Sequence, residues 1–130
     1  MSVIRVLIVD DSVTIRAMLE EVLGREPDIT LVGSAADAAT AIRMIDVLHP
    51  QVTTLDIAMP GIDGLALLDA IHDRTHAIML TSHGEAAANS IDRGALGFFP
   101  KSEILRDSKR LVKMVHRAAE GKATKLRNAA

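Results

Sequence analysis

Three carboxylates stand at the ends of two hydrophobic runs. Val6-Leu7-Ile8-Val9 leads directly into Asp10-Asp11, and Val52-Thr53-Thr54-Leu55 leads into Asp56, followed by Met59-Pro60-Gly61-Ile62-Asp63-Gly64. In an open α/β sheet, ligands bind in the crevice at the carboxyl ends of the strands. Three acids gathered there repel one another unless something positive joins them, and an all-oxygen set of hard ligands suits magnesium. Two further groups could act at the same sheet end. Thr81 closes the apolar run 77–81, and Lys101 follows Gly97-Phe98-Phe99-Pro100. The plainer reading of Asp10 and Asp11 is helix capping, since acids favour helix starts. Capping needs one acid and leaves Asp56 unexplained.

Positioning these groups requires strands that end together. Five short apolar runs (3–9, 29–34, 52–55, 77–81 and 97–100) alternate with five helical patterns. The runs are nearly continuous in Val, Ile, Leu and Phe, as in strands buried on both faces. Ile15, Met18, Leu19, Val22 and Leu23 keep helical spacing, with Ser12 placed to cap that helix and Gly24 to end it. Ala38, Ala41, Ile42, Ile45 and Leu48 form a second stripe, stopped at His49-Pro50. The third helix opens near Asp63 and buries Leu65, Leu68 and Ile71. The fourth, between Gly84 and Gly94, has Ile91 as its one large apolar residue and should be loosely held. The last uses Leu111, Val112, Val115 and Ala119 as core, with Arg106, Lys109, Arg110, Lys113 and Arg117 on another face. Such alternation means a parallel sheet covered by helices on both sides. The acids end the first and third runs, which fits strand order 2-1-3-4-5 with the crevice between strands 1 and 3. The expected fold is therefore a flavodoxin-like (βα)5 three-layer sandwich spanning residues 1–120, with 121–130 as a flexible tail.

Bulk properties narrow the function classes. The chain has 130 residues, 48% of them hydrophobic, which fits one globular domain. It has no cysteine, so disulfide and thiolate chemistry are excluded and a reducing, cytoplasmic setting is expected. The first apolar run is interrupted by Arg5 and stopped by two aspartates, unlike a signal peptide, and no run is long enough for a membrane span. Residues 1–100 carry 14 acids and 6 bases, net −8, whereas 101–130 carry 3 acids and 9 bases, net +6. The basic end reads as a solvated helix face, or as a contact for an acidic partner. No aromatic residue interleaves with those bases, which weighs against nucleic acid.

Five separated features occur in register: Asp10-Asp11-Ser12 with Arg16, Asp56, Met59-Pro60 leading to Asp63-Gly64, Thr81, and Gly94-Ala95 leading to Phe98 and Lys101. In these the chain resembles the receiver domain of bacterial two-component response regulators, over about residues 3–120. Val32-Gly33-Ser34-Ala35-Ala36-Asp37 and Thr54-Leu55-Asp56-Ile57 look most like the receiver half of chemotaxis methylesterases and stand-alone chemotaxis-type receivers. The resemblance implies that Asp56 accepts a phosphoryl group from a histidine kinase or phosphotransfer protein. It implies magnesium held by Asp11 and Asp56, by Asp10 directly or through water, and by the backbone carbonyl of Ala58. Thr81 and Lys101 would bind the phosphoryl oxygens, and Phe98 would turn as Thr81 moves, remodelling the helix 4–strand 5–helix 5 face for a protein target. Ala58 and His83 fall where the family tunes phosphate loss, and Ala58 has no group to orient a water. The chain would act as a monomer or weak dimer.

Two departures and three rival readings accompany this resemblance. The family usually has proline after its lysine, whereas here Pro100 precedes Lys101 and Ser102 follows, so the loop after strand five is open. Pro100 has no amide donor, which suits an edge strand. Phe98 has no hydroxyl, so its switching would rest on packing alone. His72, His76 and His116 lack metal-ligand spacing and read as surface residues. A magnesium-dependent aspartyl-phosphate phosphatase would want a second acid two residues after the nucleophile, and position 58 is alanine. A flavin-binding protein of this topology would want a Ser/Thr-rich loop in place of Asp10-Asp11-Ser12. A receiver fragment regulating a methylesterase or DNA-binding output domain shares every feature of the first reading.

Overall fold

The computed structural model describes residues 3–59, 61, 64–82 and 87–124. The chain runs β1 (Ile4–Val9), α1 (Val13–Gly24), β2 (Ile29–Ala35), α2 (Ala38–Leu48), β3 (Val52–Asp56), α3 (Gly64–Ile71), β4 (His76–Thr81), α4 (Ala87–Asp92), β5 (Gly97–Pro100) and α5 (Ser108–Ala119). All strand pairs are parallel, in the order β2-β1-β3-β4-β5. This is the doubly wound order the alternation predicts. Pro100 lies on the edge strand β5, as its missing donor requires.

Strand alternation divides the core into two layers. Val6, Ile8, Ile78, Leu80 and Phe99 face α1 and α5, packing with Leu19, Leu23, Leu111 and Val115. Leu7, Val9, Leu55, Ala77 and Met79 face the other way, onto Ala41, Ile45, Leu67, Leu68 and Ile71. Phe98 and Phe99 accordingly part to opposite faces, Phe99 fully buried in the first layer and Phe98 half-buried against the second. The α5 stripe is Leu111, Met114, Val115 and Ala118, while Val112 and Ala119 lie at its margin. On α3, Leu67 is buried and Leu65 is only partly so.

Several helix ends follow their sequence signals. Ser12 caps α1, its Oγ accepting from the Ile15 amide at 3.2 Å. His49, before Pro50, leaves α2 in the left-handed region at φ 48°. Gly24 ends α1 without a left-handed cap, because Arg25 continues in right-handed geometry. After β5, Lys101–Glu103 forms a 3-10 turn, which settles the conformation of the Pro100-Lys101-Ser102 loop. His116 is no idle surface residue, since its Nε2 lies 2.8 Å from Asp28 Oδ2. Beyond α5, the Thr124 amide donates to the Leu96 carbonyl at 2.8 Å and Arg117 Nη2 donates to Ala123 O at 2.8 Å. The segment expected to be a tail is thus hydrogen-bonded as far as Thr124. Among the described residues, no helix is long and apolar enough to cross a membrane.

One core hydroxyl is out of place. Thr54 is fully buried and its Oγ1 has no hydrogen-bond partner among the described residues, whereas the neighbouring Thr53 Oγ1 pairs with Thr75 Oγ1 at 3.0 Å. Thr54→Val keeps the shape and removes the orphan, so it should stabilise the fold by about 1 kcal/mol. Urea unfolding should show a higher midpoint at unchanged slope, and a lower midpoint would contradict this reading.

Candidate functional site

Register brings the acids together. Val9 pairs with Leu55, so Asp10 and Asp56 emerge side by side from adjacent strands. One carboxylate oxygen each from Asp10, Asp11 and Asp56 lies within 4.8 Å of the others. Asp10 and Asp56 are buried and Asp11 is exposed. Lys101 enters from the 3-10 turn after β5, placing Nζ 2.9 Å from Asp56 Oδ1 and 3.0 Å from Asp10 Oδ2. The contact to Asp10 Oδ2 is an ion pair without hydrogen-bond alignment. Thr81, buried at the end of β4, pairs in register with Pro100, immediately before Lys101. The cluster therefore draws its groups from β1, β3, β4 and the end of β5, all at one edge of the sheet.

The surrounding backbone fixes these side chains. The Asp10 amide donates to Ala35 O at 3.0 Å, and Asp10 Oδ1 accepts from the Ser12 amide at 2.8 Å. The Ala58 amide donates to Asp56 Oδ1 at 3.0 Å, folding the β3–α3 turn over the carboxylate. Two groups thus hold one oxygen of Asp56, and the other, Oδ2, is buried without a hydrogen-bond partner among the described residues.

Electrostatics follow from burial. Desolvation raises the Asp10 pKa above its ordinary 3.8, with repulsion from Asp56 adding to it, and the Ser12 amide and Lys101 only partly oppose this. Burial alone would lower the Lys101 pKa, but its bonds to Asp56 and Asp10 outweigh that and hold it above 10.5. At neutral pH the ammonium group is therefore the resident counter-charge of the cluster.

The donor set fits magnesium. Among the described residues, the candidate ligands of the cluster are carboxylate or carbonyl oxygens, three acids converge, and Asp56 Oδ2 is unpartnered. Asp10, Asp11, Asp56, Thr81 and Lys101 are all at this sheet end, and Ala58 is in the turn beside them. Phe98 lies two residues before Pro100, half-buried on the α2–α3 side of the sheet. His83, Pro60, Ile62 and Asp63 lie outside the described residues.

Gly64 is a site residue whose reason the motif alone does not reveal. A Cβ there would stand 2.3 Å from the Asp56 carbonyl oxygen and 2.5 Å from Ile57 Cα, and the Gly64 amide donates to Ile57 O at 3.0 Å. These obstacles are backbone and cannot rotate away. Gly64→Ala should destabilise the fold by about 1–3 kcal/mol and weaken magnesium binding through displacement of Asp56. A variant with wild-type stability and metal affinity would refute the close-approach argument. Arg16 is a second such residue, its Nη1 donating to the Asp10 carbonyl at 2.7 Å.

A family model for the response regulator receiver domain matches residues 6–116. The chain belongs to the response regulator receiver domains. Among solved structures, this receiver domain is similar to the response regulator domain of Thermotoga maritima CheB, at 31% identity and a TM-score of 0.82, covering 91% of this chain and 97% of that one. It is also similar to the signal receiver domain of the putative response regulator NarL from Mycobacterium tuberculosis, at 28% identity and a TM-score of 0.85, covering 94% and 100%. Among curated proteins, it is 39% identical to protein-glutamate methylesterase/protein-glutamine glutaminase 1 of Xanthomonas campestris over 95% of this chain. It is 42% identical to protein-glutamate methylesterase/protein-glutamine glutaminase 2 of Shewanella oneidensis over 78% of this chain. The receiver domain spans 38% and 30% of the lengths of these two relatives.

Proposed function

We propose that this receiver domain is a phosphorylation-operated switch in the cytoplasm, with Asp56 as phosphoacceptor. The observation that carries this reading is the Asp56 carboxylate, held through Oδ1 by Lys101 and the Ala58 amide and without a hydrogen-bond partner at Oδ2 among the described residues. A carboxylate nucleophile takes the phosphoryl group from a phosphohistidine of a kinase or phosphotransfer protein. The N–P bond breaks, an acyl-phosphate O–P bond forms, and the histidine recovers a proton. Phosphoryl transfer asks the protein mainly for positioning and charge neutralisation. Asp10, Asp11, Asp56 and the Ala58 carbonyl hold magnesium, which when bound offsets the charge of the transferring group. Lys101 stays on the phosphoryl oxygens after transfer, and Thr81 donates its hydroxyl to another. Ala58 cannot orient an attacking water, so the acyl phosphate is long-lived, with His83 the second position that tunes its loss.

The output is the face formed by α4, β5 and α5. Phosphate on Asp56 supplies the differential interaction that a two-state element requires. Thr81 draws toward it and Phe98, lacking a hydroxyl, turns into the vacated space by packing alone. Phe98→Ala should take up phosphate normally yet lose most of the amide chemical-shift change across β5 and α5 on phosphorylation. An unaltered shift pattern would remove Phe98 from the mechanism.

The matched relatives favour a second reading of the same switch. They are methylesterase/glutaminase proteins several times longer than the aligned receiver region, so the face would regulate an attached output domain in place of a separate target. Residues 1–120 form the switch itself in either case. Magnesium dependence is the direct test of the site. With a small acyl-phosphate donor, intact mass should show phosphoryl incorporation with magnesium and almost none with chelator. Incorporation indifferent to magnesium would overturn the metal assignment. Mass is the suitable readout because the chain has no Trp or Tyr.

A further inference from the structure

Of the three clustered acids, Asp11 has the least obvious support. Asp10 and Asp56 leave adjacent, hydrogen-bonded strands and share Lys101. Asp11 lies beyond β1, is exposed, and takes its direction from the β1–α1 turn. A peptide unit is planar, so the Asp10 carbonyl and the Asp11 amide turn together. Whatever holds the Asp10 oxygen therefore sets where the Asp11 side chain leaves the backbone.

Arg16 holds that oxygen. Its amide makes an early α1 hydrogen bond, to Ser12 O at 3.0 Å, and its half-buried side chain runs back so that Nη1 meets the Asp10 carbonyl at 2.7 Å. The Ser12 amide on Asp10 Oδ1 fixes the other side of the same turn. Among the described residues Arg16 makes no ion pair with the three acids. Its contact is with a neutral carbonyl, which orients a peptide and does not neutralise a carboxylate.

We infer that Arg16 is a positioning residue for magnesium, acting through the Asp10–Asp11 peptide to aim the Asp11 carboxylate into the cluster; this rests on the metal site proposed above. Two effects of Arg16 have opposite signs. As a cation near three acids it competes with magnesium, so its loss would tighten binding. As a clamp it preorganises Asp11, so its loss weakens binding, and groups that orient metal ligands typically contribute roughly 10–100-fold in affinity.

The test is calorimetric titration of the unphosphorylated protein with magnesium chloride, with an amide NMR spectrum to establish folding. Arg16→Met removes donor and charge but keeps the stem, and should weaken affinity roughly tenfold. Arg16→Lys restores a charged donor and should recover much of the loss. Should Arg16→Met not fold, Arg16→Gln asks the same question, being uncharged and too short to reach the Asp10 carbonyl. A folded neutral variant that binds magnesium as tightly as wild type, or tighter, overturns the clamp. Asp11→Asn separates the two readings. If it leaves affinity unchanged, the metal site itself fails, whereas a loss there beside an unaffected Arg16→Met overturns only the role of Arg16.

Discussion

Lys101→Met is expected to cost about 3–5 kcal/mol of stability at neutral pH, the range for removing one partner of a buried ion pair. Nζ stands 2.9 Å and 3.0 Å from the carboxylates of Asp56 and Asp10, and the lysine side chain is only 15% exposed. Without it, two buried acids face each other with no ion pair among the described residues, their carboxylates held by the Ser12 and Ala58 amides. The pH dependence should change in both directions. The Lys101 pKa is raised, so its stabilisation is fully present below 10.5 and is lost as pH rises through the higher folded value. The wild-type protein should therefore weaken in that alkaline window, and the variant should not show this loss. The Asp10 pKa is also raised, so its buried charge costs stability above the folded value, relieved as pH falls through it toward 3.8. Without Lys101 that relief should be larger, and magnesium should restore part of the lost stability by replacing the missing cation. Urea unfolding at alkaline, neutral and mildly acidic pH, with and without magnesium, checks each limb. Wild-type stability at neutral pH would contradict the reading of Lys101 as the resident counter-charge.

Asp56→Asn should reduce phosphoryl incorporation to background while the protein stays folded. The amide has no anionic nucleophile, yet its oxygen can still accept from the Ala58 amide, and Lys101 keeps Asp10. Losing the Asp56–Lys101 pair and losing Asp56–Asp10 repulsion oppose each other. The net stability change should therefore stay within about 2 kcal/mol. A variant that still gained one phosphoryl group would require another acceptor.

What the sequence reveals and what it hides divide along one physical line. The apolar runs of β1 and β3 and the acids that end them are local features, and the crossover rules convert them into neighbouring strands. The gathering of Asp10, Asp11 and Asp56 at one sheet end is legible for that reason, whereas Thr81 and Lys101 stand out only through the register of the family resemblance. Features made by approach through space are not legible. Gly64 reads as a motif glycine until the backbone of Asp56 and Ile57 is found beneath it. Arg16 reads as a motif arginine of no evident task until its guanidinium is seen on a carbonyl six residues back. The α5 stripe differs at two of its four sites, because Met114 and Ala118 fill the layer that Val112 and Ala119 only border. Within residues 101–130 each of the three acids pairs with a base of the same segment, and the net charge of +6 already counts them. Arg106 pairs with Glu103, Lys122 with Glu120, and Arg110 with Asp107 while stacking 4.6 Å over the Phe99 ring.

The central claim is that Asp56 becomes an acyl phosphate in this carboxylate–lysine cluster. Its most direct test is to treat the wild-type protein with magnesium and an acyl-phosphate donor, trap the adduct by borohydride reduction, and map the reduced residue by peptide mass spectrometry. The account predicts one reduced residue per chain, the alcohol left when hydride expels phosphate, at position 56 and at no other acid. Trapping at Asp10 or Asp11, or no adduct from a folded protein that binds magnesium, would contradict it.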